Sequence, residues 1–360
     1  MLHIFLNLSP AQVGKAASEK TPANEAANLS PALQLDAEVR KAASETSPGV
    51  AVLVIKNGTV SYKAFRGLAD LEAKTPISGK SQFYIASLGK QFTAVSIMML
   101  EERGKLSYDD KLVKYFPGFE SFAGNITVRH LLTHTSGLLD HLDIMKDQVA
   151  GWTNADVVSL LKRENRVLFL PGEKVSYTNS GYVLLAMIVE KVSGESFSAF
   201  LKKNLFGPLK MTNTAAAGPG VTFANRVRGY QQTDGKWTPA DYDAYTTGAG
   251  GIYSTLDDME KWDRSFTERP LIKPETLKLA STANKLNSGK PTAYGFGWLA
   301  EFAAKGDLAN VWYVASFGDF KGFKAMQKRI PERRVSVIIL ANNGEFPWNV
   351  QEKAQQLYAK

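Results

Sequence analysis

The spacing of apolar positions changes period twice along the chain. Leu33, Leu35, Val39 and Ala43 recur at helical spacing within 33–46 and predict an opening helix. The run GVAVLVIKNG at 49–58 is apolar without interruption, closes on Asn57-Gly58, and is followed by TVSYKAFRG. That order predicts a strand, a tight turn and a second strand. From about 86 to 280 the period is helical, with helices predicted at 87–103, 127–133, 154–165, 180–193, 196–204, 257–267 and 274–283. Asn154 and Asp257 stand where helix N-caps belong. Strand-like runs return at 294–302, 311–317, 322–330 and 334–343, before a last helix at 347–359. Strands at both ends of a helical middle predict one antiparallel sheet built from the two ends, with a helical lobe inserted. A cleft between two such lobes is a usual place for a site.

Composition narrows the class. Of 360 residues, 44% are hydrophobic and 22% charged, which excludes a disordered, collagen-like or coiled-coil chain. Residues 1–34 read as a flexible polar leader, rich in Ala, Ser, Pro, Asn, Glu and Lys from residue 9 onward. Residues 35–360 read as one globular body. There is no cysteine, so disulfides, Cys-ligated zinc, iron–sulfur clusters and a cysteine nucleophile are excluded. No stretch approaches the roughly 18 apolar residues of a membrane helix. The apolar patch of MLHIFLNLSP lacks a basic flank, yet a polar leader before a globular body sets the expectation of an exported, periplasmic or extracellular protein.

Lys and Arg number 43 against 35 Asp and Glu, a net charge of +8. The densest basic run (Lys321, Lys324, Lys328, Arg329, Arg333 and Arg334) has spacings suited to the outer faces of strands. No nucleic-acid motif accompanies it, so the expectation is a solvated surface with at most weak association with an anionic cell wall.

Several motifs fail on inspection. G-x-S-x-G is absent, and Gly79-Lys80-Ser81 matches only the end of a phosphate-binding loop. His130 and His134 are i, i+4 with His141 and Asp143 beyond, the start of a metal site. No Glu follows His130, and helix-end packing is the plainer reading. No cofactor or metal is expected.

Ser87-Leu88-Gly89-Lys90 is more informative. Residues three apart share a helix face, so Lys90 can reach the Ser87 hydroxyl, and serine is a weak nucleophile without such help. The spacing also occurs at Ser159–Lys162, inside an amphipathic helix. Ser87 differs by context: it ends Phe83-Tyr84-Ile85-Ala86 and opens a strongly apolar helix. Burial there drives a lysine toward its neutral, basic form. Tyr177-Thr178-Asn179 follows a Pro171-Gly172 turn. A core tyrosine is the commoner reading of Tyr177. The alternative is a phenol pushed toward phenolate by the Lys90 ammonium, with Asn179 holding Lys90 and a substrate carbonyl.

Ser87-x-x-Lys90 followed by Tyr177-x-Asn179 resembles the first two motifs of the serine β-lactamase and penicillin-binding protein superfamily. The likeness is to its class C branch, which includes D-alanyl carboxypeptidases and family VIII esterases. LLTHTSGL (131–138), PGEKVSYTNSGY (171–182), GAGGIYSTLDDMEKW (248–262) and YGFGW (294–298) look similar too, in the same order. The resemblance implies an α/β fold with a mainly antiparallel sheet flanked by helices and a helical lobe inserted. It implies a metal-independent serine hydrolase acting on a small-molecule ester, amide or β-lactam. Ser87 would form the acyl-enzyme, Lys90 and Tyr177 would move the proton, and Asn179 would bind substrate. The oxyanion would lie between two backbone N–H groups, that of Ser87 and one on a late strand. The third motif, usually a Lys or His, a small residue and Gly, falls on Ser316-Phe317-Gly318, with Asp319 as the second oxyanion donor. The missing cation points to neutral esters rather than carboxylate-bearing substrates, unless Lys321 or Lys324 replaces it. An esterase-like activity is therefore the first expectation. A D-amino-acid peptidase or amidase, a β-lactamase, or a ligand-binding member with little turnover are the alternatives.

Overall fold

The structure, a computed structural model, describes residues 29–145, 151–218, 220–240, 246–268, 270–303 and 310–360. Most of the predicted leader therefore lies outside the described residues. Helix α1 (Pro31–Ala42) begins inside the stretch read as leader: Ser30 caps it by accepting from Leu33 N, and Pro31 occupies the first turn. Strands β1 (Val50–Lys56) and β2 (Thr59–Arg66) form the predicted hairpin. Its turn residues Asn57 and Gly58 have φ of 54° and 77°, the signs a type I′ turn requires.

Next come α2 (Lys90–Glu102), α3 (Asn154–Glu164), α4 (Asn179–Ser193) and α5 (Leu256–Ser265). The chain then returns as β3 (Leu299–Phe302), β4 (Trp312–Phe320), β5 (Phe323–Ile330) and β6 (Val335–Ala341), and ends in α6 (Trp348–Tyr358). The six strands form one sheet in the order β3-β4-β5-β6-β1-β2, with every pairing antiparallel. The two ends of the chain meet where β6 pairs with β1, and Val50 lies opposite Ala341. This is the mixed α/β architecture expected of β-lactamase/transpeptidase-like proteins.

Strands β1 and β6 are buried along nearly their whole length, which is why they read as continuous apolar runs rather than alternating ones. Alternate side chains serve two cores. Ala51, Leu53 and Ile55 of β1 face the helical lobe, while Val50, Val52 and Val54 pack beneath α1 and α6. Helix α2 is the spine of the lobe, and every residue from Lys90 to Leu100 is buried. Each buried Leu, Ile or Phe there contributes about 1.5–3 kcal/mol.

Three predicted details are corrected. The N-caps are Thr153 and Thr255, one position before Asn154 and two before Asp257. Thr255 Oγ1 accepts from Asp258 N at 3.1 Å. Asn154 is drawn off by Thr247, whose N–H donates to its Oδ1 at 2.8 Å, and Asp257 instead pairs with Lys63 at 3.0 Å. The strand predicted at 294–302 begins only at Leu299. Gly297 has φ of 84°, and a Cβ there would lie 2.8 Å from the Ala94 Cβ, so this segment folds as a turn against α2. Of the basic run, Arg329 leaves the outer face. It alternates onto the lobe side of β5, stacks over Phe266 at 4.1 Å and lies near the buried Asp263.

Candidate active site

The serine turn is set by strand pairing and by close backbone approach. Phe83–Tyr84 pairs with Ile252–Ser254, which brings the 248–251 glycine segment against the start of α2. The chain then winds through a 3₁₀ turn, Ala86–Gly89, directly into α2. Ala86 has φ of 47°, a left-handed conformation that costs an alanine about 1–2 kcal/mol. Ala86, Leu88 and Gly89 are buried, while Ser87 alone in that turn keeps part of its surface open. Strand β4 passes close by: a Cβ on Gly318 would stand 2.1 Å from the Ile85 carbonyl oxygen, so only glycine fits. Strand β3 pairs with β4 only up to Ala315, so from Ser316 onward that edge of β4 faces the serine turn rather than another strand of the sheet.

Lys90 is 3% exposed, and its Nζ donates to three oxygens: Ser87 Oγ at 2.9 Å, Asn179 Oδ1 at 2.8 Å and the Ala249 carbonyl at 2.7 Å. Two of these acceptors, an amide oxygen and a backbone carbonyl, have no hydrogen to give. A neutral Lys90 keeps its two hydrogens for them, which aims its lone pair at Ser87. Burial lowers the Lys90 pKa to about 7, against the opposing pull of the Asp140 charge.

The Lys90 ammonium also sits 4.8 Å from the Tyr177 ring centre. The Tyr177 hydroxyl hydrogen-bonds Ser87. Burial counts against the alternative of a Tyr177 phenolate. Burial pushes its pKa well above the usual tyrosine value, a rise that the Ser87 contact only partly offsets. The lysine that was to supply the positive charge is itself losing it. Burial therefore favours the protonated phenol at Tyr177.

The ring is held from behind. His134 stacks on Tyr177 with centres 4.3 Å apart, and Tyr294 meets His134 edge-on. His134 lies past the end of the short helix Val128–Leu132, with φ of 56°, and its Nδ1 accepts from Thr178 N at 3.2 Å. His134 shares no helix face with His130, because the helix stops at Leu132 and the chain turns. His130 caps that helix, its Nδ1 accepting from Thr127 N at 3.1 Å. Burial holds His134 well below the ordinary histidine range. Among the described residues no group of three or more His, Asp or Glu is arranged to hold a metal.

Thus Ser87, Lys90, Tyr177 and Asn179 converge, and Gly318 lies against the same turn. Ser316 is 5% exposed and opposite Gln327, on the lobe side of the sheet. Phe317 and Asp319 alternate to the other side. Phe317 packs with Phe346 and Trp348 there, so its bulk does not enter the cleft. Asp319 pairs with Lys324, whose ammonium lies over Phe346 on that same side. Lys324 is therefore directed away from the serine, and Lys321 sits exposed in the turn after β4. The side chain at 316 is a neutral hydroxyl.

Four participants were not singled out from sequence: the Ala249 carbonyl, Asp140, the His134 stack and Tyr294. The strings that contain Ala249, His134 and Tyr294 were legible, and Asp140 follows two residues after one of them. A backbone carbonyl leaves no trace in residue type, and His134 invited a metal reading instead.

Known proteins resemble this chain over most of its length. The beta-lactamase family model matches residues 35–359. Penicillin-binding protein 4* of Bacillus subtilis is 32% identical over 317 residues, which span 82% of this chain and 68% of that protein. The penicillin-binding protein of Bacillus halodurans superposes with a TM-score of 0.77 at 26% identity, over 90% of this chain and 99% of that one. EstCE1, a hydrolase with promiscuous acyltransferase activity, shares the fold at 21% identity, with a TM-score of 0.75 over 94% of this chain and all of its own. The chain belongs to the beta-lactamase family, a family of serine hydrolases.

Proposed function

We propose that the protein hydrolyses small neutral acyl esters through a covalent acyl-enzyme on Ser87. The observation that carries this reading is the buried Lys90 Nζ, 2.9 Å from Ser87 Oγ, with its other two contacts made to oxygens that only accept. Neutral Lys90 takes the Ser87 proton as Oγ attacks the acyl carbon. The proton passes through the Tyr177 hydroxyl to the departing oxygen, and water later reverses the sequence to release the acid. The N–H groups of Ser87 and Asp319, on the open edge of β4, serve as oxyanion donors. Asn179, beside Lys90, contacts the substrate. The hydroxyl of Ser316 leaves a substrate carboxylate without its partner cation, and this favours neutral esters.

The test is hydrolysis of p-nitrophenyl butyrate by the wild type and Ser87→Ala. Turnover that disappears in the variant supports both the nucleophile and the ester. Turnover near wild type in Ser87→Ala removes Ser87 from the mechanism, and an inert wild type removes the ester. A second reading, acylation by a β-lactam or a D-amino-acid peptide, is favoured by the penicillin-binding relatives. It predicts covalent labelling of Ser87 by a penicillin.

No helix among the described residues is long and apolar enough to cross a membrane. The polar leader supports placement outside the cytoplasm, and the net charge of +8 supports weak association with an anionic wall.

A further inference from the structure

A carboxamide has two ends of nearly equal shape and opposite hydrogen-bonding sense. Which end of Asn179 faces Lys90 decides what the lysine can do. With Oδ1 toward Nζ, the amine donates and keeps its lone pair for Ser87. With Nδ2 toward Nζ, the amide N–H competes for that lone pair. Lys90 cannot enforce the choice, because a neutral amine both donates and accepts.

Asp140 can. One of its oxygens, Oδ2, accepts from Asn179 Nδ2 at 2.8 Å and from Asn179 N at 3.0 Å. Its other oxygen accepts from Leu142 N at 3.0 Å. An ionised carboxylate only accepts, so the amide nitrogen must face Asp140 and the amide oxygen must face Lys90. The backbone bond fixes the first residue of α4 to the same atom, so the side chain and the helix start are held together. Asp140 lies on the loop after the short helix Val128–Leu132, and Lys90 and Asn179 lie on α2 and α4. The arrangement exists only in the folded chain.

The groups around Lys90 are few. Tyr177 and Tyr182 present ring faces at 4.8 and 5.6 Å. His134 and His141 are near enough to be affected by its charge. Burial holds His134 neutral and brings His141 down to about 4, so the 3.6 Å approach of His141 to Asp140 is not an ion pair at neutral pH. Asp140 is the charge that acts on Lys90, and it favours the ammonium.

We infer that Asp140 is a positioning residue: it sets the Asn179 amide with its oxygen toward Lys90 and so reserves the Lys90 lone pair for Ser87. The inference rests on the reading of Ser87 as nucleophile and Lys90 as base.

The experiment compares wild type, Asp140→Ala, Asp140→Asn, Asn179→Ala and the Asp140→Ala/Asn179→Ala double variant. It measures kcat against pH with p-nitrophenyl butyrate and the labelling of Ser87 by a fluorophosphonate. Asp140→Ala is expected to lower kcat about ten- to a hundredfold, the scale of a lost charge-assisted hydrogen bond. In the Asn179→Ala background the same change should cost nothing further, because its effect runs through that amide. Asp140→Asn keeps an oxygen for both Asn179 N–H groups. It should recover much of kcat while moving the acid limb to lower pH, since the charge that favoured the ammonium is gone. Losses that multiply in the double variant, or an Asp140→Asn limb that coincides with wild type, overturn the inference. If Asp140→Ala does not melt cooperatively, the Asp140→Asn limb decides alone. A wild type that turns over and labels at Ser87 while these outcomes fail sinks only the Asp140 assignment. A wild type that neither turns over nor labels sinks the reading beneath it, and the assignment with it.

Discussion

The chain contains S-x-x-K in two described helical regions, and they differ in everything but spacing. At Ser159–Lys162, on α3, the serine hydroxyl donates to the Ala155 carbonyl at 3.0 Å, a bond within its own helix. Both side chains are exposed, and Lys162 lies over the Phe119 ring at 5.9 Å. At Ser87–Lys90 the lysine is enclosed, and three oxygens from three separate parts of the chain take its hydrogens. An exposed ammonium on a helix is solvated and stays protonated. An enclosed one loses its hydration and gives up its proton more readily. Spacing therefore brings serine and lysine within reach, and burial loosens the lysine's hold on its proton.

Substitutions at matched positions probe that contrast. Ser87→Ala should reduce ester turnover by roughly five to six decades, the scale on which loss of a serine nucleophile acts, whereas Ser159→Ala should leave it unchanged. Equal losses in the two would end the contrast. Lys90→Ala should cost about two to four decades, and Tyr177→Phe a similar amount, in kcat measured with p-nitrophenyl butyrate. Lys162→Ala should stay within twofold of wild type. A Lys90→Ala rate within that same margin would remove Lys90 as the base.

The pH dependence is a smaller effect with a defined sign. Lys90 must be neutral to accept the Ser87 proton, so kcat/KM should rise with pH through about 7 and level off above it. Stability should follow the same direction. The folded Lys90 pKa lies below its ordinary value of 10.5, so between about 7 and 10.5 the unfolded chain binds the extra proton. Unfolding free energy then increases with pH across that window. Denaturant midpoints of wild type and Lys90→Met, compared across it, should diverge. Parallel curves would mean that Lys90 is not titrating abnormally.

Ser316→Lys sharpens the contrast by restoring a cation on the lobe side of β4. It should shift the kcat/KM ratio between a carboxylate-bearing ester and its neutral analogue about tenfold toward the former, the scale of a single charged contact. An unchanged ratio would show that position 316 does not meet the substrate.

Much of the fold was legible because its signals are local. The unbroken runs of β1 and β6, the Asn57-Gly58 turn and the apolar face of α4 each announce their element within a dozen residues. The misreadings occurred where a distant partner prevailed. Thr247 takes the Asn154 amide from the cap position, and the approach of Gly297 to Ala94 turns a predicted strand into a loop. In the site, Ser87, Lys90, Tyr177 and Asn179 were legible as motifs. The fate of the Tyr177 proton was not, because it depends on how much water reaches the phenol.

By itself the sequence determined the order of strands and helices, the absence of cysteine chemistry, and which side chains stand three residues apart. The apolar context of Ser87 already marked which of two equally spaced Ser–Lys pairs is buried, whereas only the tertiary structure decided that His134 and Asp140 close around it. It also decided which way Phe317 and Lys324 point, and which oxygens surround Lys90. Hydrophobic periodicity is set by neighbours in the chain, whereas pKa, alternation across a sheet and amide orientation are set by neighbours in space.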